Sequence, residues 1–580
     1  MIESPAQSTP PQVAGRLRPG LYLFLVLICL VFFVPGIFTL PPVDRDEARF
    51  AQATTQMLET GDFVRIYFQD EARNKKPIAI YWLQAASAAL LGSAQHRNIW
   101  PYRIPSLLGA ILAVLLTFSL GKRLFGERTG LFGAVLTASS LLLIMEAHLA
   151  TTDAVLLATV LAAQVSLSRF YVRDKAPPGN GAFLTFWVAQ AIGILVKGPV
   201  TPLISLLTIG CLSAADRDLG WLRGIRPVRG LAMLVVLASP WAIAIGLATK
   251  GAFFQQSLGG DFLTKVASGM ESHGFPPGYY VLLMPLALWP ASALAGASVF
   301  RAWKTRSAPS VRFCLAWAAP AWILFELVPT KLPHYVLPLY PPLCLLVAHA
   351  IVSSEEGRTE ELGSRLIKTG YTACQLVIIL LGLAALVIPW IAGNHFKPAG
   401  LIPAVTGIAA AALSTWKFFR RRYIQATVVS IAATALVLAP LLQWVIPGAD
   451  WLWLSNNVAS AVKQTAGDNV LLCSSGYYEP SLVFLLGTRT RLTNPGGAAL
   501  FLKNNPEALA LVAAGEDEAF KREATDKGLH VRQTGAFRGF NYSKGQKMLL
   551  RLYGNRQDAG TEETDRTISD CGDRKIQIHD

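Results

Sequence analysis

Between Pro41 and Pro77 the chain gathers charge. Asp44, Arg45, Asp46, Glu47 and Arg49 fall within six positions, and Arg73, Lys75 and Lys76 precede Pro77. Asp46-Glu47-Ala48-Arg49 opens a predicted helix, with Pro41-Pro42 before it and Ala51 to Leu58 after it. Positions three apart on a helix share a face, so Asp46 and Arg49 are neighbours there. A carboxylate beside a guanidinium is held in its ionised form, and an ionised carboxylate can take the proton of an attacking hydroxyl as a general base. Glu47 is the second candidate for that role. Arg73, Lys75 and Lys76 carry the opposite charge, in the forked and point-like forms that suit phosphate. The plainer alternatives stay open: Asp46 and Glu47 favour the positive end of a helix, and the basic group faces solvent or lipid headgroups. Further on, single polar residues punctuate apolar sequence: Glu146, His148 and Asp153; Lys197-Gly198-Pro199; Asp261, Lys265, Glu271 and His273; and Lys331-Leu332-Pro333-His334-Tyr335. A lone histidine on such a loop is more often hydrogen-bonded than metal-bound, so His148, His273 and His334 are assigned no metal.

The elements that position these residues are apolar. Of the 580 residues 52% are hydrophobic and 15% charged, and mean hydropathy is +0.41. That composition excludes an ordinary soluble protein and fits a polytopic membrane protein. The net charge of +15 comes without a basic aromatic module or zinc spacing, so no nucleic-acid partner is expected. A spanning helix needs about 20 apolar residues. Thirteen runs of that kind begin near residues 21, 104, 129, 150, 180, 199, 230, 279, 313, 334, 368, 399 and 423. Ile78 to Leu91 is apolar but short and reads as interfacial or re-entrant. The polar start, 1–20, is a cytoplasmic tail followed by an anchoring helix, with no A-x-A-like cleavage site.

Loop charge orients the bundle. Lys122, Arg123 and Arg128, then Arg217, Arg223, Arg226 and Arg229, then Arg301, Lys304, Arg306 and Arg312, then Lys417, Arg420, Arg421 and Arg422 mark alternate loops as cytoplasmic. The loop 41–101 is basic yet falls on the outer side, so its charge needs a local purpose. An odd number of spans leaves the C-terminus outside. From about Ala449 short apolar runs such as Val470-Leu471-Leu472 and Leu509-Ala510-Leu511-Val512 alternate with polar helical stretches, which predicts a small α/β domain over 449–556. This domain is expected to tune acceptor access and leave the chemistry to 21–448. The tail 557–580 is polar and expected to be disordered. Five of the seven cysteines lie in apolar runs; Cys473 and Cys571 lie in the outer part, where pairing is chemically open.

The stretch DEARFAQATTQMLETGDFV, then Lys-Pro and YWLQAASAALLG, resembles the bacterial polyprenyl-phosphate-sugar transferases related to the lipid A aminoarabinose transferase. More distantly it is similar to the protein O-mannosyltransferases; both are type C glycosyltransferases. The resemblance continues through TTDAVL (151–156), LVKGPV (195–200) and KLPHYVLPLYP (331–341) and fades after 450. It implies an all-α membrane bundle of about thirteen spans with a periplasmic first loop and a C-terminal soluble domain. It implies Asp46 as the catalytic carboxylate, Arg49 and Lys76 as contacts to donor phosphate, Asp153 as the acid of the second outer loop, and Lys197 and Tyr335 as further donor-site positions. Two departures stand out. The aminoarabinose transferases often read Tyr-Phe-Glu-Lys-Pro where this chain has Arg73-Asn74-Lys75-Lys76-Pro77, and it has Gly259-Gly260-Asp261 where they tend to carry His and Glu. The lysine in place of glutamate weakens any carried-over metal site, so a divalent cation is left unassigned; a changed donor sugar is one consequence of the departures, and a more basic pocket would suit an acidic sugar.

The expected reaction is glycosyl transfer on the outer face of the bacterial inner membrane, from a polyprenyl phosphate sugar to a lipid A or lipopolysaccharide core group. One rival keeps the chemistry with a protein acceptor. Another is a flippase of the carrier lipid, but transporters place charge at the midplane in broken helices, often with internal repeats, and this chain shows neither.

Overall fold

A backbone crossing hydrocarbon must satisfy its own N–H and C=O groups, which selects helices. In this computed structural model, residues 19–92, 97–172, 179–257, 275–357, 361–393, 400–467 and 469–555 are described. The chain forms two compact units. The first comprises residues 1–461, 479–489 and 539–547; the second comprises 462–478, 490–538 and 548–580.

The first unit is helical. Its opening helices are α1 (Pro19–Phe33), α2 (Asp46–Thr60), α3 (Ala79–Leu90), α4 (Trp100–Phe125), α5 (Glu127–Ala138), α6 (Leu141–Ala147), α7 (Asp153–Tyr171) and α8 (Asn180–Lys197). Among the described residues nine helices are long and apolar enough to cross a membrane, or ten if the α5–α6 pair, bent by 62°, counts as one broken span. The runs near 21 and 199 are helical but shorter, as Pro19–Phe33 and Val200–Asp216. The run near 279 divides into Tyr279–Ala287 and Ser292–Lys304, around Pro290, which has no N–H to continue a helix.

Small residues let these helices approach closely. A Cβ on Gly121 would stand 2.6 Å from Gly130 Cα, and one on Gly109 2.9 Å from the Val155 backbone nitrogen. Those contacts fix α4, which carries Arg103, against α5 and against α7, which carries Asp153.

Helix α2 is different in kind. It buries Gln52, Thr54, Thr55 and Gln56, and their polar atoms find partners. Thr54 Oγ1 donates to Gln84 Oε1 at 2.8 Å, Gln84 Nε2 donates to the Ala150 carbonyl at 2.9 Å, and the hydroxyls of Thr55 and Tyr102 meet at 2.7 Å. Such satisfied polar contacts hold a mildly polar helix against apolar neighbours. Gly61 ends it in the left-handed conformation, φ +71°, as a helix C-terminus favours.

The second unit is α/β. Strands β3 (Leu472–Ser475), β4 (Arg491–Thr493), β5 (Leu509–Ala513), β6 (Val531–Asn541) and β7 (Gln546–Asn555) order as β4-β3-β5-β7-β6; β1 (Tyr67–Phe68) and β2 (Glu71–Ala72) form a separate hairpin in the first loop. The β3–β4 and β3–β5 pairs are parallel and β5–β7 antiparallel. Strands β3 and β5 are buried along their whole length. Cys473 lies within β3; Cys571 lies outside the described residues.

Candidate active site

Asp46 is the first residue of α2 and Arg49 stands one turn on. No side chain caps this end of the helix. The residue before it, Arg45, adopts φ +68°, a conformation that costs a non-glycine residue about 1–3 kcal/mol and persists only where the surroundings impose it. Asp46 is exposed and Arg49 half-buried. Among the described residues, neither side chain is engaged in a hydrogen bond or ion pair.

Glu47, next in sequence, is buried. Arg103, in the first turn of α4, donates Nε to Glu47 Oε1 at 2.8 Å and Nη2 to Oε2 at 2.9 Å. Its remaining protons go to the carbonyls of Ile37 (3.0 Å), Leu40 (2.8 Å) and Pro41 (3.0 Å). Glu47 also accepts the backbone N–H groups of Val43 and Ala150, at 2.8 and 2.9 Å. Both carboxylate oxygens thus hold two donors each, and the pair joins the end of α1, the start of α2, the start of α4 and the loop before α7. A bidentate, fully hydrogen-bonded pair is the form in which buried charge is tolerated.

A second cluster lies where α6, α7 and α8 end or begin. Lys197 Nζ, at the end of α8, donates to Asp153 Oδ1 at 2.5 Å. Thr152 Oγ1 donates to Asp153 Oδ2 at 3.2 Å, and Thr151 Oγ1 to Glu146 Oε2 at 3.0 Å. His334 Nδ1 stands 3.8 Å from Glu146 Oε1, an ion pair when the imidazole is protonated. Lys197 Nζ also sits 5.4 Å above the centre of the Tyr335 ring, within cation–π range. The charges of Asp153, Lys197, Asp46 and Lys76 all act on His334, and those of Asp153, Lys197 and Asp46 act on Glu146. Among the described residues no group of three or more His, Cys, Asp or Glu side chains converges as a metal ion would need. Asp261, Lys265, Glu271 and His273 lie outside the described residues.

Residues 75–243 match the family described as dolichyl-phosphate-mannose-protein mannosyltransferase. The undecaprenyl phosphate-alpha-4-amino-4-deoxy-L-arabinose arabinosyl transferase of Pseudomonas aeruginosa strain UCBPP-PA14 is 29% identical over 433 residues, which are 71% of this chain and 75% of that protein. Its namesake in Yersinia pestis strain Pestoides F is 28% identical over 374 residues, 63% of this chain and 65% of that one. Among solved structures, ArnT from Cupriavidus metallidurans bound to undecaprenyl phosphate superposes with a TM-score of 0.70 at 17% identity, covering 92% of this chain and 98% of that one. Its apo form gives 0.68. The chain shares the fold of that ArnT structure and is similar in sequence to the arabinosyl transferases over most of its length.

On that shared fold the two parts of the candidate site differ in kind. Asp46 offers a carboxylate that no neighbouring side chain engages among the described residues. Asp153 and Lys197 offer a fixed ion pair, with Tyr335 under the ammonium and Lys76 near. The other basic residues of the first loop diverge. Lys75 is exposed. Arg73 is buried, with Nε 3.2 Å from Tyr81 Oη and its guanidinium 4.9 Å above the Phe50 ring. Lys331, from the KLPHY stretch, is buried and donates to the carbonyls of Glu326 and Val328, closing the helix before it. Arg103 escaped the reading of the sequence. Its signal there was slight: one arginine, four residues from Ile99, at the mouth of a long apolar run. An isolated charge entering a span is costly and implies a partner, but nothing in the sequence names Glu47 as that partner.

Proposed function

We propose that the protein transfers a sugar from a polyprenyl phosphate donor to a lipid A or lipopolysaccharide core acceptor, at the periplasmic face of the bacterial inner membrane. The carrying observation is the position of Asp46 and Arg49 at the head of α2, with the charges of Asp46, Lys76, Asp153 and Lys197 converging on His334. The names of the relatives, which act with undecaprenyl phosphate, support the donor class.

Arg49, Lys76 and Lys197 hold the donor phosphate, and their charge opposes the negative charge it gains as it leaves. Preorganised charge of this kind usually lowers a reaction barrier more than any other single effect. Asp46 takes the proton of the acceptor hydroxyl as its oxygen bonds to the anomeric carbon and the phosphate departs with the bonding pair. A single displacement of this kind inverts that carbon. Asp153 fixes Lys197, and Tyr335 gives the ammonium an aromatic floor. The donor's tail lies in an apolar groove of about 760 Å³ between α3, α4, α7 and α8, walled by Leu83, Leu90, Leu108, Leu112, Leu184 and Ile192 among others.

The bundle is read as thirteen spans with the α/β unit in the periplasm, from the alternation of loop charge. The acceptor has one rival. The match of residues 75–243 to a protein mannosyltransferase family favours a protein hydroxyl as the second choice. Mass spectrometry of lipid A, core and envelope glycoproteins from a deletion strain decides between them. A lost lipid A or core substituent supports the reading, a lost glycoprotein modification moves the acceptor to protein, and no change in any of the three removes the transferase assignment.

A further inference from the structure

The two residues directly before Asp46 are held by parts of the chain more than four hundred positions away. Asp44 donates its backbone N–H to Tyr542 Oη at 2.7 Å, and its Oδ1 accepts the backbone N–H of Ser481 at 3.1 Å. Arg45 donates Nη2 to the Ser543 carbonyl at 2.7 Å. The two distant stretches are also joined to each other and to the helical unit. Asn541 Nδ2 donates to Glu479 Oε1 at 2.8 Å, the hydroxyls of Ser481 and Ser455 meet at 2.6 Å, and the Tyr542 ring packs edge-on to Trp453. Residues 479–489 and 539–547 both belong to the compact unit that contains α2.

These ties fall on a strained point of the loop, directly before Asp46. Arg45 at φ +68° has no glycine's freedom, and an unbraced arginine relaxes toward negative φ. That relaxation would rotate the peptide on which Asp46 begins. We propose that residues 479–489 and 539–547 are a brace for the catalytic loop, with Tyr542 and Ser481 as positioning residues that fix the Asp44-Arg45 backbone and so the direction in which Asp46 projects. The inference rests on Asp46 being the base. It gives the late part of the chain a share in the chemistry, where its sequence predicts a role in acceptor access alone.

The test uses the full chain in nanodiscs. Tyr542→Phe removes the hydroxyl and keeps the ring. Ser481→Pro removes one N–H in the first turn of the helix Pro480–Leu486, where proline is tolerated. Ser481→Ala keeps that N–H and removes only the hydroxyl, so it should loosen Asp44 less than Ser481→Pro does. Hydrogen exchange of peptides covering residues 40–50 should quicken in Tyr542→Phe and Ser481→Pro, and less in Ser481→Ala. Turnover, read from the mass of the glycosylated product, should fall roughly 10- to 10²-fold, as misplacement by about 1 Å does, while binding of undecaprenyl phosphate stays unchanged. The double variant should lose little more than the stronger single one, because both release the same dipeptide. Unchanged exchange overturns the brace whatever the reaction is. Faster exchange with undiminished turnover reduces it to a stability contact and overturns the positioning role. A wild type that neither binds undecaprenyl phosphate nor yields product sinks the transferase reading instead, and the exchange measurement still decides the brace.

Discussion

Replacing Arg103 by methionine tests how much of the site's geometry rests on one buried ion pair. Methionine fills much of the arginine's volume but donates nothing. Five hydrogen bonds disappear: two to Glu47 and three to the carbonyls of Ile37, Leu40 and Pro41. Counted singly at about 1.5–3 kcal/mol each, charge-assisted bonds would total more than about 7 kcal/mol. That sum overshoots, since neighbours relax and water enters. Breaking a buried pair from one side costs about 3–5 kcal/mol, and Glu47, buried and left with only two backbone donors, fits that case. Against a domain stability of about 5–15 kcal/mol the loss is large. Thermal or denaturant unfolding in detergent, followed by tryptophan fluorescence, measures it, with Glu47→Met and the double methionine variant completing the cycle. The double variant should be more stable than either single one, because it strands no charge. A loss in Arg103→Met within about 0.5 kcal/mol, the range of ordinary surface changes, or a double loss equal to the sum of the singles, would refute the reasoning.

Asp46→Asn should lower turnover by about 10²–10⁴-fold with undecaprenyl phosphate binding retained; were Asp46 only a helix-end residue, asparagine would serve nearly as well and turnover would hold. Lys197→Ala should weaken binding of the carrier phosphate by roughly ten- to hundredfold, the equivalent of one charge-assisted bond of about 1.5–3 kcal/mol, as isothermal titration would read. Asp44 gives a pH dependence. Burial, with the nearby Glu479 carboxylate adding to it, pushes its carboxyl from 3.8 up to about 7, against the lowering effect of its bonds to Ser481 and Tyr542. A carboxyl raised in the folded state stabilises fully below its unfolded value and loses that contribution as pH rises to the folded one. The gap corresponds to roughly 4 kcal/mol at most, less where solvent still reaches the group. Melting temperature should therefore fall between about pH 4 and 7 in the wild type and less so in Asp44→Asn; equal slopes would exclude Asp44 as the source.

Much of this was legible in the chain. The apolar runs announce helices because hydrocarbon admits little else, and DEAR at the mouth of the first run marks a candidate site because membrane-surface charge needs a reason. Asp153, Lys197 and Tyr335 were placed by the motifs TTDAVL, LVKGPV and KLPHY, and the fold brings them together. What escaped was pairing across distance. Arg103 and Glu47 lie 56 positions apart, and no local periodicity connects them. Tyr542 and Ser481 sit in segments whose composition is ordinary, and their importance comes only from the strained residue they hold. Arg73 misleads for the opposite reason: its neighbours Lys75 and Lys76 suggest a phosphate cluster, while its own side chain packs inward on Phe50 and Tyr81.

The adjacent carboxylates Asp46 and Glu47 show why the two roles can coexist in one dipeptide. Successive residues on a helix point about 100° apart, so at the head of a largely buried helix one side chain can turn inward while its neighbour stays exposed. Glu47 takes the inward direction and meets Arg103. Asp46 takes the outward direction and meets no hydrogen-bonding side chain among the described residues. Burying the Glu47–Arg103 pair carries a desolvation penalty that an apolar pair of similar volume would avoid, so stability alone is a weak reason for it. Orientation is a better one. The pair fixes the helix from the core side while Tyr542, Ser481 and Ser543 fix the preceding turn from the other, and Arg45 is held between them in a conformation it would not otherwise keep. A base that must meet an acceptor hydroxyl within about 3 Å gains from being constrained on both sides. The same carboxylate on a loose loop would have the right chemistry with no fixed place to perform it.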